Sequence, residues 1–339
     1  MKTPYFSIII PVLSTNKFLL EENLPAHDGM TNKDFEVIVL PNEKSPQDVR
    51  LTKKYRWLRI IPTKQITRPA QKRDIGVKKS RGNIIAFIDD DAYPSRNWLS
   101  RAKSLFEKNR IEGVCGPGIL PTGTTRWEIV FDEILKTWLG SGEYRYRFIK
   151  LKGRYVDDYP SMNFFVKKDI FEKAGGFNSD YWPGEDSKLC EDIVYRLGGK
   201  IWYDPGVVIY HHRRNTLDSF LMQHGQYGYH RGAFFAHGDH NSRRIVYLVP
   251  TFFVAYLILL LAINLIFRFQ FSNFGFILLL PLFIYFFLLL IVSFSAIKNT
   301  KNLKIAILSA IVLFSMHLVY GVKFAHGLIV GLTKKEKIY

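Results

Sequence analysis

The chain has 339 residues, with 47 Lys and Arg against 30 Asp and Glu and a formal net charge of +17 at pH 7. This length exceeds one typical domain, and two cysteines, Cys115 and Cys190, with no CxxC pair, exclude a disulfide framework and a thiolate zinc site. The positive balance suits phosphorylated substrates or an anionic lipid surface, and beside long apolar segments these readings displace nucleic acid.

Strand and helix patterns alternate from the start of the chain. Tyr5 to Val12 (YFSIIIPV) is a β-branched apolar run, repeated in Phe35 to Leu40 (FEVIVL), in the short Leu58 to Ile61 and in Asn83 to Ile88. The segment after Pro25 and Ala70 to Lys79 read as helices between them. Strands of this length alternating with helices predict βαβ units, hence an α/β fold with a mainly parallel sheet whose ligands sit beyond the carboxyl ends of the strands. Further on, Trp98 to Lys108 reads as a helix and Val114 to Leu120 as a strand broken by glycines. Thr125 to Leu139 places Trp127, Phe131, Leu135 and Trp138 on one helical face, suited either to core packing or to a membrane interface. Ser141 to Tyr155 is basic, aromatic and punctuated by glycine, as in a mobile loop near a phosphate-bearing substrate or a merely solvated one.

From about Tyr247 the composition changes class. Tyr247 to Phe267 and Phe276 to Ile297 contain no charged residue, and each exceeds the roughly 20 residues that a helix needs to cross a bilayer. Ile305 to Leu332 is also long enough, although Lys323, His317 and His326 interrupt it. The expected division is residues 1–240 as a catalytic domain and 241–339 as a membrane domain, with spans near 247–267, 276–297 and 305–332. The N-terminal MKTPYFSIIIPVLS has too short an apolar core for a secretory signal, so the catalytic domain is expected on the cytoplasmic side of an integral membrane protein. Arg243, Arg244, Lys298, Lys301 and Lys304 fit that orientation, whereas Lys334, Lys335 and Lys337 oppose it if all three runs cross.

The densest negative charge, Asp89, Asp90 and Asp91 in NIIAFIDDDAYP, ends what reads as a buried strand. Adjacent carboxylates repel and are costly to desolvate without a cation or strong donors. A D-x-D at a strand end offers oxygens to Mg²⁺ or Mn²⁺, with substrate phosphates completing the shell, although three aspartates can also form a turn and cap the next helix.

SIIIPV, RPAQKRDIGVKKSRGNIIAFIDDDAYP, SMNFFVKKDIFEKAGGF and PGEDSKLCEDI together resemble, in order and spacing, the landmarks of family 2 glycosyltransferases with the GT-A fold. The resemblance covers about Tyr5 to Arg231, and the trailing apolar helices look like those of membrane-anchored members. It implies a mainly parallel mixed sheet flanked by helices, and an inverting transfer of a sugar from a nucleotide-diphosphate donor with Mg²⁺ or Mn²⁺. Asp89 and Asp91 match the outer D-x-D positions as metal ligands, Asp89 also facing the donor, with Asp90 beside them. Arg73 and Asp74 occupy the usual Arg-Asn pair, Asp replacing Asn, and Pro11 and Asn42 fall at donor-side strand ends. Glu185 and Asp186 match the acidic catalytic motif, with Asp186 as the base that takes the proton of an acceptor hydroxyl. Met162 and Asn163 match the segment bordering acceptor and donor sugar. Trp182 suits stacking on a sugar ring or packing in the core.

His211, His212, Arg213, Arg214 and Arg231 follow near the membrane boundary. The His212, Arg213 and Arg231 side chains suit a diphosphate of donor or lipid acceptor, with cytoplasmic charge flanking a span as the alternative for Arg213 and Arg214. Alternation along a strand sends His211 and His212 to opposite faces, which argues against zinc. Two departures stand out: Pro41, Asn42 and Glu43 replace the family's base-reading aspartates, and the Q-x-x-R-W signature of processive synthases is absent after Gln226. The expectation is addition of a single sugar to a lipid-linked or glycan acceptor. The rivals are transfer to polyprenyl phosphate, which needs no strong base, and a non-catalytic scaffold that only binds a nucleotide sugar.

Overall fold

The computed structural model describes residues 3–177, 184–267 and 273–333. Two compact units are present: Met1–Pro121 with Tyr146–His212, and Thr122–Arg145 with Arg213–Tyr339.

The first unit is built on the apolar runs of the sequence. Strands β1 (Phe6–Pro11), β2 (Phe35–Leu40), β3 (Leu58–Ile60) and β4 (Ile84–Ile88) are joined by helices α1 (Leu24–Asp28), α2 (Pro46–Lys54) and α3 (Pro69–Lys79). All residues of β1, β2 and β4 are buried, as expected of strands covered on both faces. Then come β5 (Ala92–Pro94), α4 (Trp98–Lys108), β6 (Gly113–Cys115) and β7 (Gly118–Ile119). After the excursion into the second unit, the chain returns as β8 (Arg154–Val156), β9 (Asn163–Lys167), β10 (Ile201–Tyr203) and β11 (Ile209–His211). The main sheet has the order β3-β2-β1-β4-β9-β6-β10-β8, and a small sheet the order β5-β11-β7. Pairing from β3 to β4 is parallel, while β9 runs antiparallel to both β4 and β6. The sheet is mixed because β9 reverses direction beside the parallel half. The core gathers Phe6, Ile8, Val37, Ile88, Trp98 and Phe165, with Trp98 4.6 Å from Phe165 between ring centroids.

Several details depart from the sequence expectation. The run Val114 to Leu120 splits into β6 and β7, which lie in different sheets. Within 146–156 the chain is tied down rather than loose: Tyr146 is buried, Arg147 pairs with Asp158 at 3.2 Å, and β8 joins the sheet edge beside β10. Local composition signals a loop here, but two buried partners override it.

The second unit contains α5 (Arg126–Leu135), α6 (Trp138–Ser141), α9 (Leu217–His237), α10 (Val249–Phe267), α11 (Asn273–Thr300) and α12 (Leu303–Thr333), while α7 (Lys168–Ala174) and α8 (Glu185–Glu191) belong to the first. Three of these helices are long and apolar enough to cross a membrane, over Ile245–Ile266, Phe276–Thr300 and Leu303–Thr333. The third apolar run is a single 31-residue helix despite Lys323, His317 and His326. The aromatic face expected over Thr125 to Leu139 is interrupted. Phe131 is buried and stacks on Phe220 at 4.0 Å, whereas Trp138 is 67% exposed because Thr137 accepts a hydrogen bond from Gly140 and starts a new helix. Glycines let α9 and α12 approach closely: a Cβ on Gly327 would lie 1.8 Å from the Tyr229 carbonyl oxygen, and one on Gly232 2.2 Å from that of Phe324.

Candidate active site

The acidic triplet leaves β4 into a turn that is closed by the Ala92 N–H donating to the Asp89 carbonyl at 3.2 Å. Asn23 donates to the Ala92 carbonyl at 2.5 Å from the opposite side, which fixes the turn backbone. Directly after the turn, β5 pairs antiparallel with β11 in the register Ala92 to His211. That register places an imidazole beside the triplet: Asp89, Asp91 and His211 each offer a ligand atom, and these atoms lie within 4.8 Å of one another. His211 Nε2 stands 3.2 Å from Asp91 Oδ1, and Nδ1 stands 3.1 Å from Met162 Sδ. Two carboxylates and an imidazole, all partly exposed, fit a divalent ion such as Mn²⁺, which accepts both donor types.

Asp90 turns elsewhere. Its carboxylate accepts from Asn16, and burial, with Asp91 and Asp89 beside it, pushes it up to about 6.

Arg73 is the hub of the site. It projects from α3 with 5% exposure, its Nη2 2.7 Å from Asp89 Oδ1 and its Nη1 3.6 Å from Glu185 Oε1. Gly184, at φ 143°, lets the chain enter α8 in a conformation that side chains disfavour, and its N–H donates to Glu185 Oε2 at 3.0 Å. Burial, and then the neighbouring Asp186, push Glu185 up to about 7 against the opposing pull of Arg73. Burial also raises the Asp186 carboxyl, opposed first by Arg73 and then by Ser161. The Oδ1 atom of Asp186 is buried and has no hydrogen-bond partner among the described residues, which leaves one carboxylate oxygen to receive a proton or a donor.

The remaining expected positions divide. Pro11 closes β1 opposite Leu40, and Asn42 lies just past the carboxyl end of β2. Asn42 Oδ1 accepts from Lys72 Nζ at 2.5 Å, and the same buried ammonium donates to the carbonyls of Val12 and Leu40. Lys72 thus clamps the ends of both strands, a role that nothing in the local pattern announced. Burial lowers its basicity, with Asp90 opposing. Asp74 points away from the triplet: its Oδ1 accepts from the Phe177 N–H at 2.9 Å and braces the Gly175-Gly176 turn.

Asn163 is fully buried and committed internally, donating to the Gly116 and Val207 carbonyls and accepting from Trp98, so it offers the acceptor no open group. His212 faces Glu22 at 3.0 Å and packs on Phe18, on the opposite side of the strand from His211. Arg213 and Arg231 belong to the second unit. There Arg213 is buried against Asp132 at 2.9 Å, and Arg231 donates to Ser242 at 2.8 Å. Trp182 lies outside the described residues. The sequence reading missed His211 as a metal-facing side chain. Alternation gave the two histidines opposite faces, but only the pairing of β11 with β5 decides which one meets the aspartates.

Residues 7–175 match the model of the family described as Glycosyl transferase family 2. Through this domain the chain belongs to glycosyltransferase family 2. Relatives share low identity with it. The poly(ribitol-phosphate) beta-N-acetylglucosaminyltransferase TarS of Staphylococcus aureus is 25% identical over 126 residues, 34% of this chain and 22% of its own. The pre-mycofactocin glycosyltransferase of Mycobacterium tuberculosis is 24% identical over 160 residues, 47% of this chain and 33% of its own. Glycosyltransferase AglE of Haloferax volcanii is 25% identical over 205 residues, 57% of this chain and 64% of its own. The matches therefore span less than two thirds of each of these relatives. Among solved structures, the mannosyltransferase PcManGT from Pyrobaculum calidifontis, in complex with GDP-Man and Mn²⁺, superposes with a TM-score of 0.54 at 16% identity, covering 99% of this chain and 89% of that one. The mixed sheet with its flanking helices is the GT-A fold, followed here by apolar helices that fit a membrane-anchored family 2 glycosyltransferase.

Proposed function

We propose that this family 2 glycosyltransferase is anchored in a membrane and transfers one sugar from a nucleotide-diphosphate donor to the hydroxyl of a lipid-linked or glycan acceptor, with inversion. The observation that carries this reading is the convergence of Asp89, Glu185 and Asp186 on the single guanidinium of Arg73, beside the Asp89, Asp91 and His211 donor set. Asp89, Asp91 and His211 would hold Mn²⁺ or Mg²⁺, which when bound supplies electrophilic charge for a departing diphosphate. Mn²⁺ is favoured over Mg²⁺ by the imidazole.

Asp186 takes the acceptor proton on its carboxylate as the hydroxyl oxygen attacks the anomeric carbon opposite the leaving group. Arg73 pairs with Asp89 and with Glu185, which together with the Gly184 N–H fixes the start of α8 that carries Asp186. Lys72 and Asn42 stiffen the donor end of the sheet. The apolar helices embed the enzyme where a lipid-borne acceptor is confined, with the first unit on the cytoplasmic side.

The test is nucleotide release from a panel of nucleotide sugars by the detergent-solubilised protein with Mn²⁺, Mg²⁺ or neither. Metal-dependent release that Asp91→Ala abolishes supports the reading. Absence of donor binding and turnover across the panel, with Asp91→Ala indistinguishable from the parent, overturns it in favour of a scaffold.

A further inference from the structure

Within the second unit, α9 and α12 do not close along their whole length. Beside Gly225 they leave a groove of about 440 Å³ whose walls include Leu221, Met222 and Val319 and whose polar groups include Gln226, Lys323 and His326. Glycine at 225 brings the lysine stem against α9: a Cβ there would stand 3.0 Å from Val319 Cγ1 and 3.4 Å from Lys323 Cγ. His326 is set by an edge-to-face contact with Tyr229 at 5.2 Å.

An ammonium on a helix apolar enough to span a bilayer requires an anion or water. No acidic side chain meets it here: α12 contains no Asp or Glu, α9 contains Asp218 alone, and Lys323 has no ion pair among the described residues. Two residues before Lys323, the Gly321 carbonyl accepts from Thr251 at 3.0 Å. Thr251 lies in the first turns of the Ile245–Ile266 span, so the cationic end of the groove is level with the end of a spanning helix, where headgroups meet acyl chains.

We propose that this groove binds a phosphate-bearing lipid, the phosphate on Lys323 and His326 and the proximal hydrocarbon on Leu221, Met222 and Val319. A lone ammonium beside an imidazole suits a compact phosphate head, and the apolar walls suit a tail rather than a free anion. The inference rests on the membrane-anchored reading and requires no sugar transfer.

The full chain in detergent is titrated with dioleoyl phosphatidic acid and, separately, with dioleoyl phosphatidylcholine, and bound lipid is read by native mass spectrometry. Phosphatidic acid is expected to bind at least tenfold more tightly than phosphatidylcholine. Lys323→Ala should lower that affinity about tenfold, Lys323→Arg should retain it, and Lys304→Ala, at the far end of α12, should change it less than twofold. Met222→Trp, which fills the groove from α9, should block binding and gives a second route if Lys323→Ala does not fold. Unchanged binding in Lys323→Ala or Met222→Trp overturns the proposal, as does an equal loss in Lys304→Ala. Complete displacement by millimolar inorganic phosphate also overturns it, by making the site one for a free anion. Failure of this titration leaves nucleotide release untouched, so the two readings fail separately.

Discussion

Arg73 holds Asp89 through a single short ion pair, Nη2 to Oδ1 at 2.7 Å, in a site where the arginine is almost wholly buried. The same guanidinium reaches Glu185 at 3.6 Å, so one cation balances carboxylates from two separate stretches of sequence. Removing it strands buried negative charge, a loss of about 3–5 kcal/mol for a single buried partner. Arg73→Ala is therefore expected to lower the melting temperature sharply. Arg73→Lys, which keeps charge but not the planar fork, should fold and lose about a hundredfold in kcat/KM. Thermal melts and donor turnover of both variants check this.

His211 and His212 should separate cleanly in metal binding. His211 faces Asp91, and His212 faces Glu22. His211→Ala is expected to weaken Mn²⁺ binding about tenfold or more and to erase any preference for Mn²⁺ over Mg²⁺, whereas His212→Ala should leave both unchanged. Electron paramagnetic resonance titration of free Mn²⁺ measures this without turnover.

Asp186→Asn removes the proton acceptor while keeping the shape of the side chain. Turnover is expected to fall about 10²- to 10⁴-fold with donor affinity preserved. Retained turnover identifies a phosphate oxygen as the nucleophile, which needs no base.

Asp74 gives a pH-dependent test of stability. Burial raises its carboxyl from 3.8 to about 6, opposed by the Phe177 N–H. The folded state then binds the proton more tightly than the unfolded state, so stability declines as pH rises from about 4 to 6 and the penalty persists above. Asp74→Asn retains an oxygen for Phe177 and has no charge to desolvate. It is expected to gain about 1–2 kcal/mol at pH 7.5 and to flatten the profile between pH 4 and 6, as measured by chemical denaturation across pH.

Gly327 tests the helix packing of the second unit. A methyl group there would meet the Tyr229 carbonyl at 1.8 Å, a contact that backbone displacement alone relieves. Gly327→Ala should destabilise the unit by about 2 kcal/mol or more, seen as a lower detergent-solubilised melting temperature, whereas Gly123→Ala, with open space around its Cβ, is limited to the strain of its φ of 76°.

Much of this fold is legible in the sequence because its strands are continuous apolar runs. FEVIVL is β2 to the residue, and the helix expected at Trp98 to Lys108 is α4. The apolar helices announce themselves by length and scarcity of charge. Less legible were elements whose fate depends on partners distant in the chain. The basic, glycine-punctuated stretch Ser141 to Tyr155 read as a loop, yet within it Tyr146 and Arg147 are held by Asp158. Asn163 sat in a motif beside the expected acceptor position, yet Trp98, Gly116 and Val207 consume its hydrogen-bonding groups.

The sequence alone determined where charge is concentrated and which segments avoid water, since burial preference and the repulsion among Asp89, Asp90 and Asp91 are properties of the residues themselves. Which cation balances which carboxylate, and which of two adjacent histidines turns toward the aspartates, was decided only in the tertiary structure. Strand register and helix placement bring together groups more than a hundred positions apart: His211 meets Asp91 because β11 lies against β5, and Arg73 meets Glu185 because α3 and the start of α8 converge on it.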